Sequence, residues 1–318
     1  MNYSPLGIIC HGGAGTIDDK AAYAAGLTEA IDEAYRLLRQ SASAMEAVVT
    51  AVSMMEDNPL YDAGTGSDLT IDGQIEMDAS LMTQEGRFGG VAGISGVKNP
   101  ILVAQKVMIE TDHLLVSGLG ATEFARRMGF EDYNVVTERA RTRLQKVVDQ
   151  GSKYFHKMNQ QRFPDGVPPT PEAGADPLLE SKMGTVGAVA IDKHGNLAAA
   201  TSSGGIVGRM RGRVGDSAIL GAGTYAGPSG AVSCTGHGEE IMRRSLARDI
   251  VERMKTMPAS TAMTLVVAEA RRKKLVFGAI GFDARGGICY GHTTPDMAYG
   301  YKVAERLFIF TEEKQKTH

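Results

Sequence analysis

The chain has 318 residues, enough for one or two domains with a sizeable buried core, and its charge is nearly balanced, with 34 Lys and Arg against 37 Asp and Glu. The longest basic run is the RRKK of residues 271–274, which argues against nucleic acid as a partner. Three widely spaced cysteines (Cys10, Cys234 and Cys289), seven histidines without an HxH or HExxH pattern, and no apolar run near eighteen residues argue against a disulfide framework, a transition-metal site and a membrane span.

Leu6 to Cys10 reads as a short apolar strand entering a glycine-rich turn, HGGAG at residues 11–15. No basic segment followed by an apolar one precedes it, so the expectation is a cytoplasmic protein with reduced thiols. Asp18 or Asp19 can cap a helix in which Tyr23, Leu27, Ile31, Ala34 and Leu38 share one face. Ser43 and Glu46 form a capping box for a second helix, with Met45, Val48, Val49, Val52 and Met55 as its buried stripe. Residues 58–82 read as a loop entering a hairpin. Asn99-Pro100 starts a later helix and Gly129 closes another. A charged helical pattern covers residues 136–158. Residues 159–182 then turn polar and carry Pro164, Pro168, Pro169, Pro171 and Pro177, which reads as a linker.

Two segments beyond the linker echo each other. GAVAIDKHGNLAAAT from Gly187 and GAIGFDARGGICYGH from Gly278 each have a strand, an Asp-x-x-Gly turn and a second strand, so both are predicted hairpins. Their nearly continuous apolar strands suggest sheets covered on both faces, with helices predicted at 239–256 and 258–272 between the two hairpins. Two sheets face to face with helices outside fit this order.

The chemistry concentrates after Gly184. A cut between Gly184 and Thr185 would give Thr185 a hydroxyl nucleophile and a free amine base on one residue, and such an amine titrates at about 7.7–8.0. Taken alone, Thr185 reads more simply as the start of a strand. Downstream lie TSSGG (201–205), GRVGDS (212–217) and SCTGHGE (233–239). Arg213 suits a planar carboxylate and Asp216 an ammonium, although the two can equally form a structural ion pair. Thr235 and the N–H of Gly236 sketch an oxyanion hole, and Thr235 can also serve as a helix N-cap with Glu239 in the first turn.

KMGTVGAVA, DxxGNLAAATSSGG, GRVGDS, GAGTYA and SCTGHGE in this order, with HGGAG near the N-terminus, closely resemble the plant-type asparaginase and isoaspartyl peptidase family of N-terminal nucleophile hydrolases, from about Gly7 to Tyr301. The resemblance implies an α+β fold, a four-layer αββα sandwich. It also implies autocleavage into an α subunit (1–184, with a linker over about 159–184) and a β subunit (185–318), and a homodimer of αβ units. Substrates would be β-aspartyl dipeptides and L-asparagine. Carried over, Thr185 is the nucleophile, supported by Ser203. Arg213 holds the substrate α-carboxylate, and Asp216 with the Gly238 carbonyl holds the α-ammonium. Thr235 and Gly236 stabilise the oxyanion. No cofactor is required, and a structural sodium ion is expected on backbone carbonyls of Met55, Glu56, Asn58, Tyr61, Ala63 and Thr65.

Three positions depart from the family pattern: Asp62 stands where asparagine is usual, Ser203 where threonine is, and His237 where a small or hydroxylated residue is. Glycosylasparaginases carry aspartate before the nucleophile, whereas here it is Gly184. An uncleaved amino-acid-binding protein is the non-enzymatic alternative. GDS at 215–217 lacks a downstream DxxH, HGGAG lacks a GxSxG partner, and GLGATE at 118–123 lacks the third glycine of a dinucleotide loop, so esterase, lipase and nucleotide readings fall away.

Overall fold

The computed structural model describes residues 6–152, 155–162 and 184–311. Strand β1 (Gly7–Gly15) leads to helices α1 (Lys20–Arg39) and α2 (Ala44–Asp57), then the hairpin β2 (Met77–Thr83) and β3 (Phe88–Ile94). Helix α3 (Pro100–Glu110), strand β4 (Leu115–Ser117) and helices α4 (Gly118–Arg127), α5 (Glu138–Gln150) and α6 (His156–Arg162) follow. Beyond Gly184 come β5 (Val186–Ile191), β6 (Leu197–Ser203), β7 (Thr224–Gly227) and β8 (Gly230–Gly236). The chain then forms α7 (Gly238–Arg244), α8 (Leu246–Arg253), α9 (Ala259–Arg272), β9 (Phe277–Asp283), β10 (Ile288–His292), β11 (Asp296–Val303) and β12 (Arg306–Ile309).

These strands make two sheets. One has eight strands in the order β12-β11-β1-β5-β6-β2-β3-β4, and the other four in the order β10-β9-β8-β7. β1, β2, β5 and β6 face β7, β8 and β9 across the molecule; α1, α2 and α3 pack on the large sheet, and α8 and α9 on the small one. β5 and β6 are buried along their whole length, which is why their sequences are apolar runs and not alternating ones. In the large sheet β1 pairs with β5 and β11, and β2 pairs with β6. Segments from either side of Gly184 are therefore interleaved in one sheet.

Several expectations shift. HGGAG is not a turn: β1 runs through it to Gly15, with an irregularity between His11 and Ala14 in its pairing with β11. The expected helix over 136–158 is two, because Gly151 takes φ +81° at the end of α5. Residues 159–162 belong to α6 and not to the linker, whose remaining stretch to residue 183 lies outside the described residues. Likewise 239–256 is broken at Ser245, which adopts a left-handed conformation (φ 46°) between α7 and α8. Asp19, not Asp18, caps α1 by accepting from Ala22 N–H, and the Ser43–Glu46 capping box of α2 forms as its spacing predicts.

Candidate active site

Strand pairing puts Thr185 beside Ser203. β5 and β6 run antiparallel with Val186 opposite Ser202, so Thr185 falls opposite Ser203 at the open end of the ladder. The Thr185 Oγ1 to Ser203 Oγ distance is 3.0 Å, and both residues are buried. Ser203 Oγ also accepts from Gly205 N–H at 3.0 Å, which holds its rotamer without the methyl of a threonine.

The bond before Thr185 is gripped as well. Asp62 N–H donates to Gly184 O at 3.0 Å, and Gly204 N–H donates to Asp62 O at 2.8 Å, so Asp62 bridges the end of β6 to the carbonyl that precedes Thr185. Asp62 Oδ1 accepts from Asp68 N–H at 2.8 Å. Burial, then the neighbouring Asp68 carboxylate, push the Asp62 carboxyl up to about 7, against the pull of Arg143 and Arg209. Arg143 reaches Asp68 Oδ2 at 2.9 Å. Arg209 is fully buried and spends its donors on the carbonyls of Asp68 (3.0 Å), Ile206 (3.3 Å) and Glu76.

His11 ties Thr185 to the second sheet. Burial drives its pKa down to about 3, so the ring is neutral. Nδ1–H donates to Thr185 O at 3.2 Å, which leaves Nε2 to accept from Ser233 Oγ–H at 2.9 Å on β8. The chain of hydroxyls continues from Ser233 to Thr201 (2.7 Å), Thr224 (2.7 Å) and Ser80 (3.0 Å). Gly187 gives this junction its room: a Cβ there would lie 2.0 Å from Ser233 Oγ.

Thr235 lies two residues beyond Ser233 on β8, so its side chain points the same way, toward the large sheet. Its Oγ1 is buried and has no hydrogen-bond partner among the described residues. The cap role open to Thr235 falls instead to His237, and Glu239 does enter the first turn of α7. Gly236 holds φ +135°, where a Cβ would meet Val276 O at 2.4 Å.

Arg213 on the loop before the 3-10 turn 216–218, Asp216 at the start of that turn and Gly238 at the start of α7 come together: a Cβ on Gly238 would lie 2.6 Å from Arg213 Nη2 and 2.9 Å from Asp216 Oδ1. The ion pair that forms is Arg213 with Glu239, through Nε and Nη2 at 2.9 Å each, and not Arg213 with Asp216. Asp216 Oδ2 is buried without a partner among the described residues, and burial pushes its carboxyl up to about 7 against the pull of Arg213. Asp78 on β2, the pairing partner of Ser203, accepts from Gly215 N–H at 2.7 Å and so joins this loop to the end of β6. His237 neither enters the site freely nor points wholly to solvent; its Nε2 sits 3.2 Å from Glu239 Oε2.

Sequence reasoning missed His11, Asp68, Asp78, Arg143 and Arg209 as neighbours of the site, and it placed Glu239 in a first helical turn without its ion pair to Arg213. The HGGAG motif pointed at His11 without a role, and no local signal marks the rest. A cavity of about 260 Å³ against α8 and α9 includes none of these residues. Among the described residues no cluster of three His, Cys, Asp or Glu could hold a metal, and no helix is long and apolar enough to cross a membrane.

Geometrically this is a threonine with a hydroxyl neighbour and a fixed preceding carbonyl, flanked by a guanidinium and two unpartnered buried groups, one a carboxylate oxygen and the other a hydroxyl. The family model described as asparaginase matches residues 4–310. A plant-type L-asparaginase of Pyrococcus horikoshii is 41% identical over 309 residues, covering 93% of this chain and 96% of the relative. An isoaspartyl peptidase/L-asparaginase of Synechocystis is 38% identical, covering 92% and 87%. One of Xenopus laevis is 42% identical, covering 78% and 75%. With matches spanning nearly every element that builds the site, this chain belongs to the asparaginase family.

Proposed function

We propose that the protein is an autoprocessing hydrolase that releases L-aspartate from β-aspartyl dipeptides and L-asparagine through a Thr185 acyl-enzyme. The observation that carries this reading is the arrangement at the Gly184–Thr185 bond: a buried hydroxyl one residue past a carbonyl that already accepts from Asp62 N–H. In the first reaction Thr185 Oγ attacks Gly184 C. The Gly184 oxygen gathers negative charge against the Asp62 N–H, and the Thr185 nitrogen leaves with a proton, giving an ester that water hydrolyses. The products are a Gly184 carboxylate and a free Thr185 amine. Holding hydroxyl and carbonyl together removes much of the entropic barrier.

In the second reaction the amine takes the Thr185 hydroxyl proton as Oγ attacks the substrate β-carbonyl. Glu239 occupies the Nε side of Arg213, leaving Nη1 for the substrate α-carboxylate, and Asp216 Oδ2 receives the α-ammonium beside the Gly238 carbonyl. Thr235 Oγ–H and Gly236 N–H stabilise the oxyanion. The amine then protonates the leaving nitrogen, and water releases aspartate. Ser203 positions the nucleophile throughout.

The same reading gives the finer architecture: helices, large sheet, small sheet and helices as four layers, with 1–184 and 185–318 as subunits that stay joined by shared strand pairing, and two such pairs forming a dimer. No cofactor enters the chemistry. A monovalent cation suits residues 55–65, where the carbonyls of Met55, Asn58 and Ala63 accept single backbone hydrogen bonds and those of Glu56 and Tyr61 accept none among the described residues. Its effect would be to hold the loop that carries Asp62. Thr65 belongs to the same expected set; its hydroxyl is buried without a partner among the described residues.

The test is intact mass after incubation at neutral pH, with N-terminal sequencing and an assay for released aspartate. A fragment beginning Thr-Val-Gly-Ala-Val together with aspartate release supports the reading. A persistent single chain of 33.8 kDa that binds but does not hydrolyse would replace it with a binding protein.

A further inference from the structure

A cleft of about 210 Å³ opens next to the scissile bond, and neither Arg213 nor Asp216 is among its walls. Gly12, Gly13, Arg139, Arg143 and Gly184 are among its walls. Gly184 is bonded to the nitrogen of Thr185, so it marks the direction in which the freed amine will point. In the proposed hydrolysis that amine must come within about 2.6–3.2 Å of the leaving nitrogen to protonate it. The leaving group therefore takes the place that Gly184 holds in the uncut chain, and whatever extends from it enters this cleft.

The cleft carries positive charge from α5. Arg139 lies in the first turn of that helix, where the helix's own positive end adds to its charge. Its Nη1 donates to the carbonyls of Pro59 and Leu60, which fixes the guanidinium against the loop that leads to Asp62. It forms no ion pair among the described residues, so Nε and Nη2 are unspent. Arg143 follows one turn later on the same face, held by Asp68. Asp18 and Asp19 also line the cleft, and Asp19 is committed to the α1 cap. The cationic side chains among its walls that an incoming carboxylate can meet are Arg139 and Arg143.

We propose that Arg139, backed by Arg143, binds the free α-carboxylate of the leaving residue of a β-aspartyl dipeptide. This rests on the hydrolase reading above and deepens it. Arg213 meets the same aspartyl α-carboxylate in a dipeptide and in asparagine and so cannot tell them apart. Asparagine's leaving group is ammonia, which has no carboxylate, so Arg139 distinguishes the two substrates. The carboxylate formed on Gly184 by autocleavage has the same chemistry and begins in the same cleft, so it is the competing source.

The experiment compares matured wild type with Arg139→Ala on three substrates: β-aspartyl-leucine, its C-terminal amide, and L-asparagine. The variant is expected to lose about tenfold in kcat/KM on the free acid, mainly through KM, the size expected for one charge-assisted contact at a partly exposed site. The amide and asparagine should change less than twofold, and the wild-type preference for acid over amide should disappear. Arg139→Lys should restore part of that preference. Equal losses on all three substrates, or no loss on the free acid, would overturn the assignment. An unchanged acid-to-amide ratio with faster separation of the cleaved halves would assign Arg139 to Gly184 and also overturn it. A fully cleaved wild type that hydrolyses none of the three takes down the hydrolase reading, and this inference with it.

Discussion

The two halves of the site are in opposite states. At the Gly184–Thr185 bond itself the groups are paired, Gly184 O by Asp62, Thr185 O by His11 and the Thr185 hydroxyl by Ser203, although Ser67 Oγ and Asp68 Oδ1 in the adjoining loop are buried without partners among the described residues. Across the cleft, Asp216 Oδ2 and Thr235 Oγ1 are buried with no partner among the described residues. Buried polar atoms without partners cost on the order of 1–3 kcal/mol each, so native structures rarely keep them without a use. The contrast teaches that the first half is complete for a reaction on the chain itself. On the function proposed above, the second would receive a molecule that brings an ammonium and a developing oxyanion.

The sharpest way to break that comparison is Thr185→Ala, which should abolish both reactions; intact mass must stay at 33.8 kDa and aspartate release must vanish. Splitting at residue 184 in that variant would end the mechanism. Next, Thr235→Val removes the unpartnered hydroxyl and should lower kcat by about 10²–10³-fold while KM moves little and cleavage proceeds. Steady-state kinetics on the matured variant decide it. Arg213→Ala should spare cleavage and reduce kcat/KM by about 10²-fold, with KM carrying most of the change. A normal KM would remove Arg213 from the site.

Asp62→Asn gives a smaller effect that depends on pH. The folded Asp62 carboxyl keeps its proton to about 7, whereas the unfolded chain gives it up near 3.9. Between those values the unfolded state binds fewer protons, so the stability owed to Asp62 is present at low pH and is lost as pH rises toward 7. Asp62→Asn should therefore raise Tm by a few degrees, about 2–4 °C per kcal/mol for a chain of this size class, at pH 8, and by less at pH 5. Above pH 7 ionised Asp62 also puts a negative charge on the residue whose N–H holds Gly184 O, where the oxyanion forms, so the variant should mature faster there and gain little at pH 6. Time courses of cleavage at the two pH values measure it, and equal gains at both would show that charge at Asp62 is not the brake.

Local rules made much of this readable. The S-x-x-E box of α2, the Asn99-Pro100 start of α3 and the two Asp-x-x-Gly hairpins depend on residues within a few positions of one another, and all form. The reading failed where distant packing overrode a local pattern. HGGAG looks like a turn, yet pairing with β11 and β5 on either side draws it into a strand. The helix breaks at Gly151 and Ser245 lie inside patterns that are helical throughout.

The sequence by itself determined the family, and it singled out the proposed nucleophile and anchors, because short motifs with fixed spacing carry them: Gly184-Thr185, GRVGDS and SCTGHGE. Tertiary structure alone decided their partners. His11 meets Thr185 across 174 positions, Ser80 meets Ser217 across 137, and Arg213 chooses Glu239, 26 residues on, over Asp216 three residues away. Hydrogen bonds and ion pairs of this kind are selected by sheet register and burial, which place groups in space without regard to their distance along the chain.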